Sequence, residues 1–390
     1  MAITRQGASR WQLVKREGVN APDKLHSNIL SIQASLIRKG KRLVVNDRAE
    51  AWLRRGTSHW RDWPADRLVS WKRQRGSRIS VVIPARDEEA TVGDVVGALR
   101  DELVNGIPLI DELVVMDSDS ADATAQVAER AGAQVYRCQD VAPGLGAHPG
   151  KGEALWKSLL VTTGDILVFV DADLTLWGSH FVTGLLGPML CPASEQVMLV
   201  KACYDRAVGD TPDGGTVGGG RVTELVARPL LNLWWPELAG VTQPLSGEWA
   251  ARRSLLEELP IPVGYGVEIA VLIDTASRQG IDAIAQVDLG ERGHSHQADA
   301  DLAVMAAELM LVTERRRLGA LEAGTLEAGA WEAGAWEAGR PEHPELVQFT
   351  RADGELRPRH RAVPHAERPP VRSLLAGTGL SQAELAGRDG

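Results

Sequence analysis

Between residues 79 and 170 the chain alternates short, mainly apolar runs with stretches whose apolar residues recur at helical spacing. The runs are Ile79-Ser-Val-Val-Ile83, Leu113-Val-Val-Met116 and Ile166-Leu-Val-Phe-Val170. Each is too short for a helix and lacks polar alternation, which is the pattern of a strand buried on both faces. Pro84 closes the first run, and Asp117 and Asp171 follow the other two. Glu88 to Leu103 and Ala121 to Ala131 read as helices, Ala133 to Tyr136 as a short strand. A glycine- and proline-rich loop, Val141 to Gly152, precedes a helix that opens near Glu153. Strand–helix alternation of this kind predicts a parallel, doubly wound sheet with right-handed crossovers.

Beyond residue 173 the rhythm changes. Gln196–Lys201 and Ile284–Leu289 read as strands, and Val208–Gly220 as a loop. Arg221–Trp235, Gly247–Leu259, Tyr265–Arg278 and Asp299–Arg317 read as helices. So do residues 26–55, where Ile29, Leu30, Ile32, Leu36 and Ile37 recur at helical intervals. Residues 321–339 repeat Leu/Trp-Glu-Ala-Gly with a period of five. A five-residue step rotates a helix by about 140°, so the Leu and Trp positions build no common face. This predicts an exposed insertion without a catalytic role. The tail from Arg340 is rich in Pro, Arg and His, and Val363–Leu374 is expected to drape back over the body. The domain plan is a basic, partly helical arm (1–77), a nucleotide-binding half (78–174), a second half (175–318), the repeat (319–341) and a tail (342–390).

The 390 residues are 44% hydrophobic and 24% charged, as in soluble globular chains. No apolar run approaches the roughly 18 residues a membrane helix needs, and the first ten residues contain no apolar signal core. Cys138, Cys191 and Cys203 lack metal-site spacing, so free thiols in the cytoplasm are expected. The net charge of −9 is uneven. Residues 1–78 carry 18 Lys/Arg against 6 Asp/Glu, a net +12 that leaves −21 on the rest. Such an arm suits an anionic partner or an acidic protein surface. Trp11, Leu13, Trp52, Trp60, Trp63 and Trp71 supply anchors that favour packing, so neither nucleic acid nor membrane is an expected partner.

The densest chemistry is Asp171-Ala172-Asp173 at the end of the third apolar run. In open α/β sheets ligands bind outside the carboxyl ends of the strands. Residues i and i+2 of an extended segment share a face, so Asp171 and Asp173 can address one object. Two hard anionic oxygens suit Mg²⁺, or Mn²⁺, bridging a diphosphate. Lys151 stands between glycines that allow backbone close to phosphate, and its ammonium suits phosphoryl charge. Glu88 and Glu89 alone would be helix-start carboxylates favoured by the dipole. Gly218-Gly-Gly220 before Arg221-Val222-Thr223 offers helix N-terminal amides, a guanidinium and a hydroxyl, a set that suits an anion.

Four features occur in order: Val81 to Glu89, Val115-Met-Asp-Ser-Asp-Ser120, Pro149 to Glu153, and Asp171 to Asp173. Over about residues 78–300 the set resembles a nucleotide-sugar glycosyltransferase of GT-A fold: α/β, Rossmann-like and doubly wound, with a smaller acceptor-binding C-terminal part. Gly150 to Trp156, Gly218 to Pro229, Gln243 to Glu248 and Gly264 to Ile269 are similar to the retaining glucosyl- and mannosyl-3-phosphoglycerate synthases. That resemblance implies transfer of a hexose from a nucleoside diphosphate sugar to the 2-hydroxyl of 3-phosphoglycerate, for compatible-solute synthesis, by a cytoplasmic homodimer. It assigns Pro84, Ala85, Arg86, Glu88 and Ser118 to base and ribose, and Lys151, Asp171 and Ala172 to the donor as well. Asp173 and His294 become the metal ligands. Gly220, Arg221, Val222, Thr223, Arg292 and His296 become acceptor contacts, although His296 stands where the family pattern has an amide. No enzymatic nucleophile stands out. Glu248 and Glu268 are candidates, and Glu268 better suits gripping sugar hydroxyls. A front-face displacement needs none, with the Leu245 carbonyl steadying positive charge on the sugar. The basic arm and His296 favour GDP-mannose as donor, with glucose donors also accepted and UDP- or GDP-glucose the alternative. An inverting transferase acting on a lipid-phosphate or polymer acceptor would need a general-base carboxylate near the acceptor and a membrane device, and neither is evident; a non-catalytic sugar-nucleotide binder would have no use for Lys151, Asp173, Arg221 and His294 together.

Overall fold

Ile166, Val168 and Val170 point into one apolar layer while Leu167 and Phe169 point into another, so the central strand is covered on both faces. The computed structural model describes residues 47–206, 220–294, 299–322, 344–352, 355–379 and 381–387. All of them belong to the unit spanning residues 46–390. The strands are β1 (Thr57–His59), β2 (Ile79–Ala85), β3 (Glu112–Asp117), β4 (Gln134–Arg137), β5 (Ile166–Phe169), β6 (Leu174–Leu176) and β7 (Leu199–Arg206). Then come β8 (Trp249–Arg252), β9 (Ile261–Pro262), β10 (Ile284–His294), β11 (Glu345–Ala352), β12 (Glu355–Ala362) and β13 (Glu367–Arg368).

The main sheet runs β1-β10-β7-β8-β5-β2-β3-β4, with β6 paired to β10. Strands β5, β2, β3 and β4 are mutually parallel. So are β1, β10 and β7. Between the two groups β8 runs antiparallel to both neighbours. The sheet is therefore mostly parallel, α/β and layered as the alternation predicts. Helices Lys151–Val161 and Val267–Gln279 cover one face, where Trp156, Phe169, Trp249 and Val271 pack. Helices Val92–Leu99 and His180–Leu190 cover the other, over Val81, Ile83, Val95 and Leu185. Burying each such side chain contributes about 1.5–3 kcal/mol.

Several elements differ from expectation. Residues 247–259 do not form one helix: Trp249–Arg252 is strand β8, and only Arg253–Leu256 is helical. The Ala, Leu and Glu content favours helix, but pairing Trp249 between Phe169 and Lys201 buries it to 1% exposure, and tertiary burial overrides the local preference. The helix expected from Glu88 starts at Val92 and runs past the expected Leu103, its last seven residues, Arg100–Gly106, being π-helical. The helix expected near Glu153 starts at Lys151. The expected Arg221–Trp235 helix is present over residues 221–234, with its stretch Thr223–Ala227 widened to a π-helix. The tail contains an unforeseen hairpin, β11–β12, and β13 pairs antiparallel with β9. Trp52 is buried, and its indole N–H donates to the carbonyls of Ile281 (3.1 Å) and Ile284 (3.2 Å). Trp11, Leu13, His296, residues 26–46, residues 208–219 of the expected loop and residues 323–339 of the repeat lie outside the described residues. Among the described residues no helix is long and apolar enough to cross a membrane.

Candidate functional site

The end of β5, strand β10, the turn before β8 and the first turns of helices Lys151–Val161 and Val267–Gln279 deliver a cluster of charged side chains to one end of the sheet. At its centre is Asp171. Its Oδ1 lies 2.6 Å from Lys151 Nζ, and its Oδ2 lies 2.8 Å from Arg292 Nη2. Lys151 Nζ also reaches Glu268 Oε1 at 2.9 Å. Arg292 contacts Glu248 Oε1 through Nη2 (2.9 Å) and Nε (3.1 Å), and its Nη2 lies 3.7 Å from Asp173 Oδ1. Asp171 and Asp173 therefore do address one object, and that object is the Arg292 guanidinium. Arg292 is 3% exposed and stacks over Tyr204, 5.3 Å from its ring centroid. Its guanidinium forms the floor of this acid cluster.

The titration of each acid follows its neighbours. Burial alone would raise Asp171, but Lys151 and Arg292 overcome it and hold the carboxyl at about 2. Asp173 is raised by burial and by the adjacent Asp171 charge, with Arg292 and Lys151 only partly offsetting. Glu88 is raised by burial, and Asp173 and Asp171 add to it. That places Glu88 within electrostatic reach of the strand-end pair. Burial also raises Glu248 against the pull of Arg292. Burial opposes the charge on Lys151, yet Asp171 and Glu268 keep it firmly protonated. Acids outnumber bases here, and Asp173 and Glu88 carry charge at a cost; a bound cation would relieve it. Among the described residues no three His, Cys, Asp or Glu side chains form a ready-made ion cage.

Two turns set this geometry. Strand β6 follows Asp173 directly and pairs antiparallel with the end of β10, so the backbone of His294 lies opposite Leu174. A side chain at Gly293 would meet Thr175 Oγ1 at 2.7 Å, so the glycine permits this pairing of β10 with β6. Gly247 permits the second: a Cβ there would sit 2.1 Å from Asp171 Oδ2. The glycines around Lys151 have a different use from the one expected. Cβ atoms at Gly150 and Gly152 would meet the carbonyls of Val263 (2.4 Å) and Pro262 (1.8 Å). The amides of Gly152 and Glu153 donate to the carbonyls of Gly264 (3.2 Å) and Val263 (2.9 Å). They admit neighbouring backbone, and the first helical amides are already bonded.

The ends of β2 and β3 form a clasp. The Asp87 amide donates to Ser120 Oγ (3.0 Å), and the Ala121 amide donates to Asp87 Oδ1 (2.8 Å). The Glu88 amide donates to Thr124 Oγ1 (2.7 Å), and Thr91 Oγ1 donates to Glu88 Oε2 (3.1 Å). Glu89 accepts from the Ala123 amide at 2.9 Å. It therefore serves the following segment and not its own helix start. Ala85 and Ala172 are buried, Pro84, Ser118 and Leu245 half-buried, and Arg86 exposed. Gly220 opens the turn that packs on helix Asp299–Glu322; its carbonyl accepts from the Glu224 amide (3.0 Å). There Val222 and Thr223 are buried and Arg221 is exposed.

Lys201 and Glu308 were missed from sequence. Lys201, at 1% exposure, donates to the Ser246 carbonyl at 2.8 Å, and burial lowers it to about 7 despite nearby Glu268. A lysine inside the apolar run Leu199–Ala202 was the available signal. Glu308 Oε2 accepts from the Tyr265 amide at 2.7 Å, and burial raises its carboxyl to about 7. It sits where a Cβ on Gly264 would meet it at 2.0 Å. A single acid in an amphipathic helix carried no signal.

Residues 80–190 match the family described as Glycosyl transferase family 2. The chain is 45% identical over 264 residues to a glucosyl-3-phosphoglycerate synthase of Petrotoga mobilis, covering 68% of this chain and 81% of the relative. Among solved structures, it is similar to the mannosyl-3-phosphoglycerate synthase of Rubrobacter xylanophilus at 36% identity. The TM-score is 0.73, with 83% of this chain and 99% of that one covered. It is also similar to the glucosyl-3-phosphoglycerate synthase of Mycobacterium tuberculosis, solved with Mn²⁺, UDP-glucose and phosphoglyceric acid. There the identity is 40% and the TM-score 0.65, covering 80% of this chain and 95% of that one.

Proposed function

Because this chain belongs to the glucosyl-3-phosphoglycerate synthase family of GT-A glycosyltransferases, we propose that it transfers glucose from UDP-glucose to the 2-hydroxyl of 3-phosphoglycerate. This reverses the order of donors expected from sequence, where GDP-mannose came first. The observation that carries the reading is the strand-end cluster, with Asp171 held between Lys151 and Arg292 and Asp173 placed beside the backbone of His294.

In this reading Asp173 and His294 would hold a divalent cation, Mg²⁺ or Mn²⁺, beside the donor's diphosphate. The cation supplies charge neutralisation for the departing diphosphate. Pro84, Ala85, Arg86, Glu88 and Ser118 hold base and ribose along the clasp of the β2 and β3 ends. Asp171 and Ala172 complete the ribose contacts. Lys151 sits at the head of its helix to meet phosphoryl charge while anchored by Asp171 and Glu268. Glu268, buried on helix Val267–Gln279, grips sugar hydroxyls, and the Leu245 carbonyl faces the anomeric carbon. Arg221, with the Gly220, Val222 and Thr223 turn, takes the acceptor's phosphate and carboxylate, and His296 joins it. Arg292 acts from beneath by fixing Asp171 and Glu248. A front-face displacement, in which a diphosphate oxygen takes the acceptor proton, asks no nucleophile of the protein. A homodimer, implied by the resemblance, belongs to the same reading.

Mannosyl transfer is the second reading, favoured by the TM-score of 0.73 to the Rubrobacter enzyme. Incubating the protein and 3-phosphoglycerate with UDP-glucose, GDP-glucose or GDP-mannose, with Mg²⁺ or chelator, separates the two by product mass and NMR. Product from UDP-glucose ahead of GDP-mannose is the expected result. Product from GDP-mannose alone would overturn the glucosyl reading, and no product from any donor would overturn both.

A further inference from the structure

We propose that Arg368, in the C-terminal tail, is a positioning residue of the donor site that sets Lys151 between Asp171 and Glu268. The inference rests on the reading of Lys151 as the donor-site cation. Arg368 is buried at 7% exposure, although it lies in a proline- and arginine-rich tail. Its Nε and Nη2 each lie 2.7 Å from the two oxygens of Glu153, a bidentate pair. Its remaining donors reach the carbonyls of Leu145 (2.9 Å) and Gly146 (3.0 Å). The guanidinium also stacks over Trp156, 5.0 Å from the ring centroid. Glu153, at 1% exposure, is the third residue of the helix that begins with Lys151.

The same tail holds the other side of that helix start. Arg368 and Glu367 pair with Ile261 and Pro262, and the Val263 amide donates to the Ala366 carbonyl at 3.1 Å. The backbone from Pro262 to Gly264 is the surface on which Gly150 and Gly152 rest. Trp156 Nε1 donates to the Pro369 carbonyl at 2.8 Å, closing the loop from tail to helix. Residues 366–369 thus grip the Lys151 helix through Glu153 and Trp156, and brace the strand that supports its first turn. The next segment along that strand leads into the helix bearing Glu268. The helix that carries Lys151 and the one that carries Glu268 thus both lean on one strap. A lysine at 368 has no fork with which to hold Glu153 and two carbonyls together. The helix start is then free to shift, and a displacement of about 1 Å at a reacting centre costs on the order of a hundredfold in rate.

The test uses the full chain and four proteins: wild type, Arg368→Lys, Lys151→Met and the double variant. Turnover is measured against sugar nucleotide and against 3-phosphoglycerate, with melting temperature recorded for each. Arg368→Lys is expected to lower kcat/KM for the sugar nucleotide by about ten- to a hundredfold with KM for the acceptor little changed. In the Lys151→Met background the same change should add almost no further loss, since the side chain it positions is gone. A full additional loss there would show Arg368 to be merely structural and would overturn the inference, as would wild-type turnover in Arg368→Lys. If Lys151→Met alone leaves turnover intact, the donor-site reading fails instead. Trp156→Phe, which removes the bond to Pro369 and narrows the ring beneath Arg368, repeats the test if Arg368→Lys does not fold. A turnover loss that also vanishes in the Lys151→Met background supports the inference, and any other result overturns it.

Discussion

Substituting Gly247 by alanine adds one methyl group, and its consequence can be worked out from distances. The new Cβ would lie 2.1 Å from Asp171 Oδ2 and 2.5 Å from both Cγ and Oδ1. Ordinary contact begins near 3.4 Å, so the carboxylate must retreat by about 1.3 Å. A retreat of that size carries Asp171 beyond hydrogen-bond range of Lys151, now 2.6 Å away, and of Arg292, now 2.8 Å away. Losing two charge-assisted bonds is worth about 3–6 kcal/mol. Lys151 keeps Glu268 and Arg292 keeps Glu248, which returns part of that and leaves about 2–4 kcal/mol. That corresponds to a fall of about 30- to 700-fold in kcat/KM for the sugar nucleotide. Overpacking should lower stability by about 1–3 kcal/mol. Gly97→Ala is the control, because a Cβ there meets nothing within 4 Å and lies in a helix. It should leave turnover unchanged. Steady-state kinetics and thermal melts of both variants suffice. Gly247→Ala within twofold of wild type would refute the view that Asp171 is held by this turn.

Asp173→Ala should abolish turnover at unchanged fold, checked by activity with Mg²⁺ or Mn²⁺ and by circular dichroism. Retained activity would remove Asp173 from the metal site. Arg221→Ala should raise the KM for 3-phosphoglycerate about ten- to a hundredfold and that for the sugar nucleotide little, read by initial rates against each substrate. Glu308 supplies a pH test. Its folded carboxyl sits near 7, above the ordinary 4.5, so the stability gained from its protonated form is complete below pH 4.5 and lost as pH rises through 7. Glu308→Gln lacks that titration. The melting temperature of the variant relative to wild type should therefore climb by a few degrees between pH 5 and pH 8; a constant difference would contradict the assignment.

Strands β2, β3 and β5 were legible because burial on both faces leaves only apolar residues to carry them. The Asp171/Asp173 pair was legible because a strand end fixes where i and i+2 point. Strand β8 was not, because its Ala-Ala-Arg-Arg-Ser-Leu-Leu stretch favours helix locally and only the gap between β5 and β7 makes it a strand. The partners of Arg292 were equally hidden. Glu248 and Asp171 lie 44 and 121 residues away from it along the chain. Arg368 meets Glu153 across 215 residues, so its place beneath the Lys151 helix exists only once β13 pairs with β9. Lys201 gave a visible anomaly, a cation in an apolar strand, whose meaning required the Ser246 carbonyl beside it.

The central claim is that the end of β5 is the metal centre of a sugar-nucleotide site. Crystals of the protein grown with Mn²⁺ and UDP, measured at the manganese absorption edge, test it most directly. An anomalous peak within coordination distance of the Asp173 carboxylate and the His294 imidazole, bridged to the UDP diphosphate, is the predicted result. Bound UDP with no such peak, or manganese seated away from Asp173, would contradict it.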